Sequence, residues 1–302
     1  MNTLEKVRHI AEVLKSAGID DPVREAELLL SHCLGIDRIS IYRDNPPLSH
    51  DALSALDRYV QRRAGREPIQ YILGYVDFCG LRINVGSGVL IPRPETELLL
   101  EEAIKSVKTA KPGNNREPNR YLSPTPSIRI LDVCTGSGCI ALALAREFPE
   151  ALVYGTDISG TAIKYAEANA KVNGITNATF LKGNLFEPVE QQHPIKQAPF
   201  KFSLIISNPP YIRSDEIKTL QPEIQNWEPA EALDGGDNGI DYYHAIISVA
   251  PKYMEKQGCL LLELGMGQAG EVISIAKAAG FRDISVTKDF SGIERILKAA
   301  FC

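Results

Sequence analysis

Residues 130–147 read ILDVCTGSGCIALALARE, and the order of residue types in that stretch decides the fold. Ile130, Leu131 and Val133 form a short, almost continuous apolar run, as expected of a strand covered on both faces. Gly136 and Gly138 then let the backbone bend sharply, and ALALAREF (141–148) continues at helical spacing. Working outward, the same alternation repeats. LVYGTD (152–157), ATFLKG (178–183), FSLIISN (202–208) and CLLLELG (259–265) read as buried strands. TAIKYAEANAKVN (161–173) and QAGEVISIAKAAG (268–280) read as amphipathic helices between them. The tail DISVTKDFSGIERILKAA (283–300) reads as two more strands joined by a short turn. Buried strands alternating with helices predict an α/β domain built on a mostly parallel sheet covered on both faces.

The N-terminal side is different. Residues 1–74 read as all helix, with Leu4, Val7, Ile10, Ala11, Leu14 and Ala17 at helical spacing. Asp21-Pro22 is expected to open a second helix as an N-cap followed by proline, carrying Ala26, Leu28, Leu29, Leu30 and Cys33 and stopping at Gly35. A third helix begins near Ser49, with Leu53, Leu56 and Val60 inward. Residues 75–93 alternate around Gly80 and predict a β-hairpin linker; Pro92 and Pro94 lead into a helix. The expected division is therefore 1–74, 75–93 and 94–302. Residues 108–127 are rich in Pro, Asn, Ser and charge and predict a mobile loop.

Composition narrows the function. The 302 residues are 44% hydrophobic and 24% charged, enough for full cores without disulfide or metal staples. Formal charge is −5, and residues 1–74 hold ten basic against eleven acidic residues, which disfavours a bulk grip on nucleic acid. No 18-residue apolar run spans a membrane, and the N-terminus lacks a signal-peptide core, so the cytoplasm is the expected compartment. Cys33, Cys79, Cys134, Cys139, Cys259 and Cys302 form no C-x-x-C pair and read as reduced thiols, most of them buried. No metal set is expected.

Two places carry chemistry. The 134–138 turn offers backbone N–H groups and room for a ligand to approach. It has no G-K-[ST] phosphate cradle. Asp157 ends the next strand, where a carboxylate suits ribose hydroxyls; helix capping is the other reading, and Ser159 supplies that equally well. The second place is Asn208-Pro209-Pro210-Tyr211, at the carboxyl end of an apolar strand. Two prolines force the chain out of the sheet in a stiff turn. The Asn208 side-chain oxygen and the Pro209 carbonyl can each accept one N–H of a planar NH₂ group, and Tyr211 can stack on it. That arrangement suits methylation of an amide or aromatic amine from a sulfonium donor, without a metal.

These residues resemble known families. Asp132-x-Cys134-Thr135-Gly136-Ser137-Gly138 is similar to the S-adenosylmethionine turn of class I methyltransferases, with Cys134 where glycine is usual; its backbone is expected to be extended. Asn-Pro-Pro-Tyr resembles the signature of amino-methyltransferases acting on adenine, cytosine or glutamine. Arg66-Glu67-Pro68-Ile69-Gln70-Tyr71-Ile72 with Gly74, and Val89-Leu90-Ile91-Pro92-Arg93-Pro94-Glu95-Thr96-Glu97, look like the linker signature of the HemK/PrmC family of release factor glutamine methyltransferases. Glu228-Pro229 through Ala232-Leu233-Asp234-Gly235-Gly236 with Gly239, and Glu263-x-Gly265 with Gln268, match later motifs of that family.

The resemblance implies a Rossmann-like, mostly parallel seven-stranded sheet and a small helical domain that grips a class I release factor. It implies methyl transfer from S-adenosylmethionine to the glutamine of the Gly-Gly-Gln motif, modulating translation termination. Asn208, Pro209 and Tyr211 would be catalytic, with Pro210 beside them on the substrate. Cys134, Thr135, Gly136, Ser137, Gly138, Asp157, Asn184, Leu185 and Asn208 would hold the cofactor. Leu185 stands where some members carry a bulkier aromatic, and core packing is its other reading. Glu95, Thr96 and Glu97 suit a first helical turn and also stand to wall the site. Trp227 reads as loop packing. A monomer is expected, with no direct nucleic acid contact and no membrane. The alternative is a DNA or RNA amino-methyltransferase acting on the adenine exocyclic amine, which would call for a basic groove.

Overall fold

The computed structural model describes residues 2–109, 128–191 and 201–301. The expected mobile loop, from residue 110 onward, and Cys302 lie outside the described residues. The chain forms two compact units: Met1–Tyr75 with Leu220–Glu228, and Val76–Thr219 with Pro229–Cys302.

In the first unit, apolar residues three and four apart fall on single stripes and produce α1 (Thr3–Ser16), α2 (Pro22–Leu34) and, after a short α3 (Arg38–Arg43), α4 (His50–Ala64) and α5 (Ile69–Leu73). Val7, Ile10, Leu14, Leu29, Leu30, Ile41 and Leu56 meet in one core. Asn2 starts α1 with a complete capping box to Glu5. Asp21 sits before Pro22 as expected but makes no side-chain cap, because its ψ of 65 departs from the extended geometry a cap uses. Leu28 is exposed rather than inward, since Leu29 and Leu30 already fill that stripe. The sequence reading missed α3 and α5, each shorter than two turns. Segment 220–228 returns to this unit through Glu223, which accepts from Arg63 at 2.9 Å and Arg66 at 2.7 Å. Arg63 is buried and also reaches Glu25 at 2.5 Å. A buried guanidinium needs such partners, so Glu223 fixes where the segment lies. Trp227, at its end, is half-buried.

The hairpin of β1 (Tyr75–Phe78) and β2 (Leu81–Asn84) turns at Cys79 and Gly80, with φ of 47 and 75, the positive pair a tight two-residue turn needs. The elements that follow are α6 (Pro94–Thr109), β3 (Arg129–Val133), α7 (Cys139–Glu147), β4 (Leu152–Asp157), α8 (Gly160–Val172), β5 (Ala178–Lys182), α9 (Glu187–Gln191) and β6 (Phe202–Ser207). Then come α10 (Pro222–Gln225) of the first unit, α11 (Asp241–Tyr253), β7 (Met254–Glu263), α12 (Ala269–Ala278), β8 (Arg282–Lys288) and β9 (Glu294–Ala300).

The sheet has seven strands in the order β5-β4-β3-β6-β7-β9-β8. β3 pairs parallel with β4 on one side and β6 on the other, and β9 runs antiparallel to both of its neighbours, β7 and β8. The strand order reverses between β3 and β6, so the crevice at their carboxyl ends is where such a sheet receives a ligand. The loops that leave there are the 134–138 turn and Asn208–Tyr211. Leu131, Val133, Ile205, Tyr243, Leu260 and Leu262 make up the core beneath.

The described cysteines are free, and only Cys139 is buried. Cys33, Cys79, Cys134 and Cys259 are partly exposed, which corrects the expectation that most would be core. Among the described residues no helix is long and apolar enough to cross a membrane, and no cluster of side chains could hold a metal ion.

Candidate active site

The turn after β3 is held by its own backbone, by β4 and by the Asp132 carboxyl. Thr135 N–H donates to the Thr156 carbonyl at 2.9 Å, and Gly138 N–H to the Thr135 carbonyl at 2.9 Å. Thr135 Oγ1 donates to Asp132 Oδ2 at 2.6 Å, which Ala141 N–H also reaches at 3.2 Å. Gly136 has φ +55, and a Cβ there would meet nothing within 4 Å, so it presents bare backbone to open space. Gly138 has φ +80, and a Cβ would lie 2.9 Å from the Ala166 Cβ; glycine lets α8 pack against the turn. Asn169 of α8 is fully buried and donates to the carbonyls of Ser137 at 3.0 Å and Asn84 at 3.1 Å, tying turn and hairpin together.

Cys134 has φ +61. The expectation of an extended backbone is therefore wrong: the turn requires the left-handed region and cysteine adopts it, at the cost a Cβ carries there. Leu185 does the same at φ +46. Burial, then the nearby Asp157 and Asp132 carboxylates, push the Cys134 thiol well above its usual range.

Ser159, not Asp157, caps α8, its hydroxyl accepting from Ala162 N–H at 3.3 Å. Asp157 instead accepts from Gly136 N–H through Oδ2 at 2.9 Å and from Ser159 N–H through Oδ1 at 2.8 Å. Burial raises its carboxyl above the ordinary value, opposed by those two backbone bonds.

At the end of β6, Asn208 donates through Nδ2 to Thr96 Oγ1 at 3.2 Å. Thr96 donates to Glu263 Oε2 at 2.9 Å, and Tyr211 donates its hydroxyl to Glu263 Oε1 at 3.2 Å. Glu263 is 1% exposed, and burial pushes its carboxyl up to about 7 despite those bonds. Burial, then the Glu263 charge, raise the Tyr211 phenol. The backbone beyond is clamped from behind. Gln268 Nε2 donates to the Tyr211 carbonyl at 2.9 Å and the Gly239 carbonyl at 3.1 Å, while its Oε1 accepts from Gly265 N–H at 3.0 Å.

Cys134, Gly136, Asp157, Asn184, Leu185, Asn208 and Pro210 line one cavity of about 530 Å³, a size suited to a cofactor. Thr135, Ser137 and Gly138 stand behind it as the body of the turn, with Thr135 and Ser137 buried. Pro209 and Tyr211 are also outside its wall, Pro209 buried and Tyr211 half-buried. Leu185 both lines the cavity and packs on the core. The wall also contains Gly88, Val89, Leu90, Ile158, Thr161, Glu231 and Tyr242, which sequence reasoning did not assign. It missed Glu263 and Thr96 as parts of one network as well, although both lay in motifs already noticed. Among the described residues no Lys or Arg lines the cavity, while Asp157 and Glu231 do. Those two carboxylates suit a ligand with hydroxyl donors and a cationic centre.

Residues 5–74 match a model of the PrmC N-terminal domain and residues 124–263 a methyltransferase domain model. The release factor glutamine methyltransferase of Thermodesulfovibrio yellowstonii is 41% identical over 98% of this chain and 97% of its own length. That of Geobacter sulfurreducens is 41% identical over 94% and 91%. The solved hMettl16 catalytic domain shares the fold at 15% identity, with TM-score 0.52 over 81% of this chain and 82% of that one. Identity of this degree over nearly the whole length, on a sheet whose carboxyl edge gathers Asp157, Asn208 and Tyr211, places the chain in the release factor glutamine methyltransferase family.

Proposed function

We propose that this enzyme transfers a methyl group from S-adenosylmethionine to the side-chain amide nitrogen of the glutamine in the Gly-Gly-Gln motif of class I release factors. The observation that carries the reading is Asn208 on the cavity wall, its Nδ2 engaged by Thr96 and its Oδ1 left as an acceptor. Family membership supports the substrate class, and the Asp157 and Glu231 carboxylates on the cavity wall support the cofactor.

S-adenosylmethionine, when bound, supplies an electrophilic methyl on a cationic sulfonium. Gly136 and Asp157, with Cys134, Asn184 and Leu185, are the residues we assign to holding it. Asn208 Oδ1 and the Pro209 carbonyl accept the two N–H bonds of the glutamine amide. That fixes the nitrogen and turns its face toward the donor, so positioning and preformed dipoles supply the catalysis. Tyr211, held by Glu263 and by Gln268, walls the amide from water. The product keeps only one N–H, so one of the two acceptors is left without its donor; this favours release after a single methylation. We place the reaction in the cytoplasm, with a monomeric enzyme and a protein partner rather than a nucleic acid.

The test is direct. Incubation with a class I release factor and methyl-labelled S-adenosylmethionine should put one methyl on the Gly-Gly-Gln peptide after digestion. Preferred labelling of an adenine-containing oligonucleotide would reverse the assignment. Asn208→Ala should abolish labelling while cofactor binding stays within about twofold.

A further inference from the structure

We infer that Thr96 and Glu263 form a positioning relay that fixes which end of the Asn208 side-chain amide faces the substrate. The inference rests on the function proposed above and deepens it. An asparagine amide is nearly symmetric in shape, and its two orientations present opposite chemistry: an acceptor, or a pair of donors. Only the acceptor orientation can take an N–H from a glutamine amide.

The direction is set from Glu263 outward. An ionised carboxylate only accepts, so it takes the single hydroxyl proton of Thr96 at 2.9 Å and that of Tyr211 at 3.2 Å. With its proton spent, Thr96 Oγ1 can only accept from Asn208, at 3.2 Å. Nδ2 must then point to Thr96, and Oδ1 to the other side. The three side chains come from the first turn of α6, the end of β7 and the exit of β6, all in one unit. Glu263 is 1% exposed and Thr96 2%, so no solvent competes for these bonds. A protonated Glu263 removes the constraint. It can donate to Thr96, which frees the threonine proton for Asn208 Oδ1 and turns the wrong end toward the substrate. Charged and titratable groups near Glu263 are Glu95 on α6, Arg295 on β9, Tyr211, Tyr243 on α11 and Cys139 on α7. Burial nevertheless dominates and brings its ionisation to about 7.

The relay is tested on the full-length enzyme with release factor as substrate. Thr96→Val keeps the shape and removes the hydroxyl; kcat should fall about tenfold or more, with the Kd for S-adenosylmethionine within about twofold. Thr96→Ser restores the hydroxyl and should recover most of the lost rate. For the parent enzyme, kcat should drop about tenfold from pH 8 to pH 6, following the ionisation of Glu263. Glu263→Gln should be slower and lose that acid limb. Unchanged kcat in Thr96→Val, or an acid limb retained by Glu263→Gln, overturns the relay. If Thr96→Val does not fold, the two pH profiles decide alone. An inactive Asn208→Ala beside a fully active Thr96→Val overturns the relay and leaves the site assignment standing; an active Asn208→Ala overturns both.

Discussion

The amide of Gly136 donates to the Oδ2 of Asp157 at 2.9 Å, joining the turn after β3 to the end of β4. The same carboxylate accepts from Ser159 N–H at 2.8 Å, so it also fixes the start of α8. Each oxygen keeps a lone pair beyond these bonds, and Asp157 lines the cavity. Its removal should therefore act twice, on the shape of the turn and on the acceptor that we assign to a cofactor ribose. Asp157→Ala is expected to weaken S-adenosylmethionine binding by about tenfold or more in calorimetry. Asp157→Asn, which keeps one acceptor oxygen, should fall between. An alanine variant that binds as well as the parent would remove Asp157 from the cofactor site.

How far the sequence could be read depended on the range of the interaction. Strands such as Ile130–Val133 and Leu204–Ile206 are legible because a strand buried on both faces must be apolar at almost every position. The Asn208–Tyr211 turn is legible because two prolines after a strand have few other uses. Glu263 and Thr96 were visible as motif members but not as partners, being 167 residues apart. Nothing in local periodicity says that a first-turn threonine will meet a strand-end glutamate. The segment 220–228 is the same case, since Glu223 joins Arg63 across 160 residues. Cys134 misled for another reason: its left-handed φ is imposed by the turn, whereas residue type alone favours an extended backbone.

Gly235 is required for space. A Cβ there would lie 2.7 Å from the Tyr211 Cα and 2.9 Å from the Pro210 carbonyl oxygen, both backbone atoms that cannot swing aside. Gly235→Ala should push the 209–211 backbone out of place, with a stability loss of about 1–3 kcal/mol and a larger loss of turnover than of cofactor binding. Gly270→Ala, where a Cβ would meet nothing within 4 Å and the helix favours alanine, is the control and should be neutral or stabilising by up to about 1 kcal/mol. Thermal melts and single-turnover rates on the pair would decide; equal behaviour would mean that the 235 loop does not support the site.

Cys134 offers a test of backbone strain. At φ +61 any Cβ carries a cost, whereas glycine does not. Cys134→Gly and Cys134→Ala both lose the sulfur, but only the first loses the strain. The glycine variant should therefore be the more stable of the two, by about 1 kcal/mol in denaturant unfolding. An alanine variant as stable as the glycine one would show that the surrounding turn absorbs the strain.

Asp132 gives the pH dependence of stability a definite sign. It is fully buried, its Oδ1 has no hydrogen-bond partner among the described residues, and burial pushes its carboxyl up to about 7 from the usual 3.8. Between those values the folded protein holds a proton that the unfolded chain has released. Stability from this group is thus lost as pH rises from about 4 to 7, opposite to a salt-bridged aspartate. Asp132→Asn cannot ionise and should not show that loss. Glu263, raised to about 7, contributes the same sign but is present in both proteins and cancels in the comparison. The difference in melting temperature, variant minus parent, should therefore climb across pH 4 to 7 and level off above about 7. A difference that stays flat with pH would mean that Asp132 is ionised throughout that range in the folded protein.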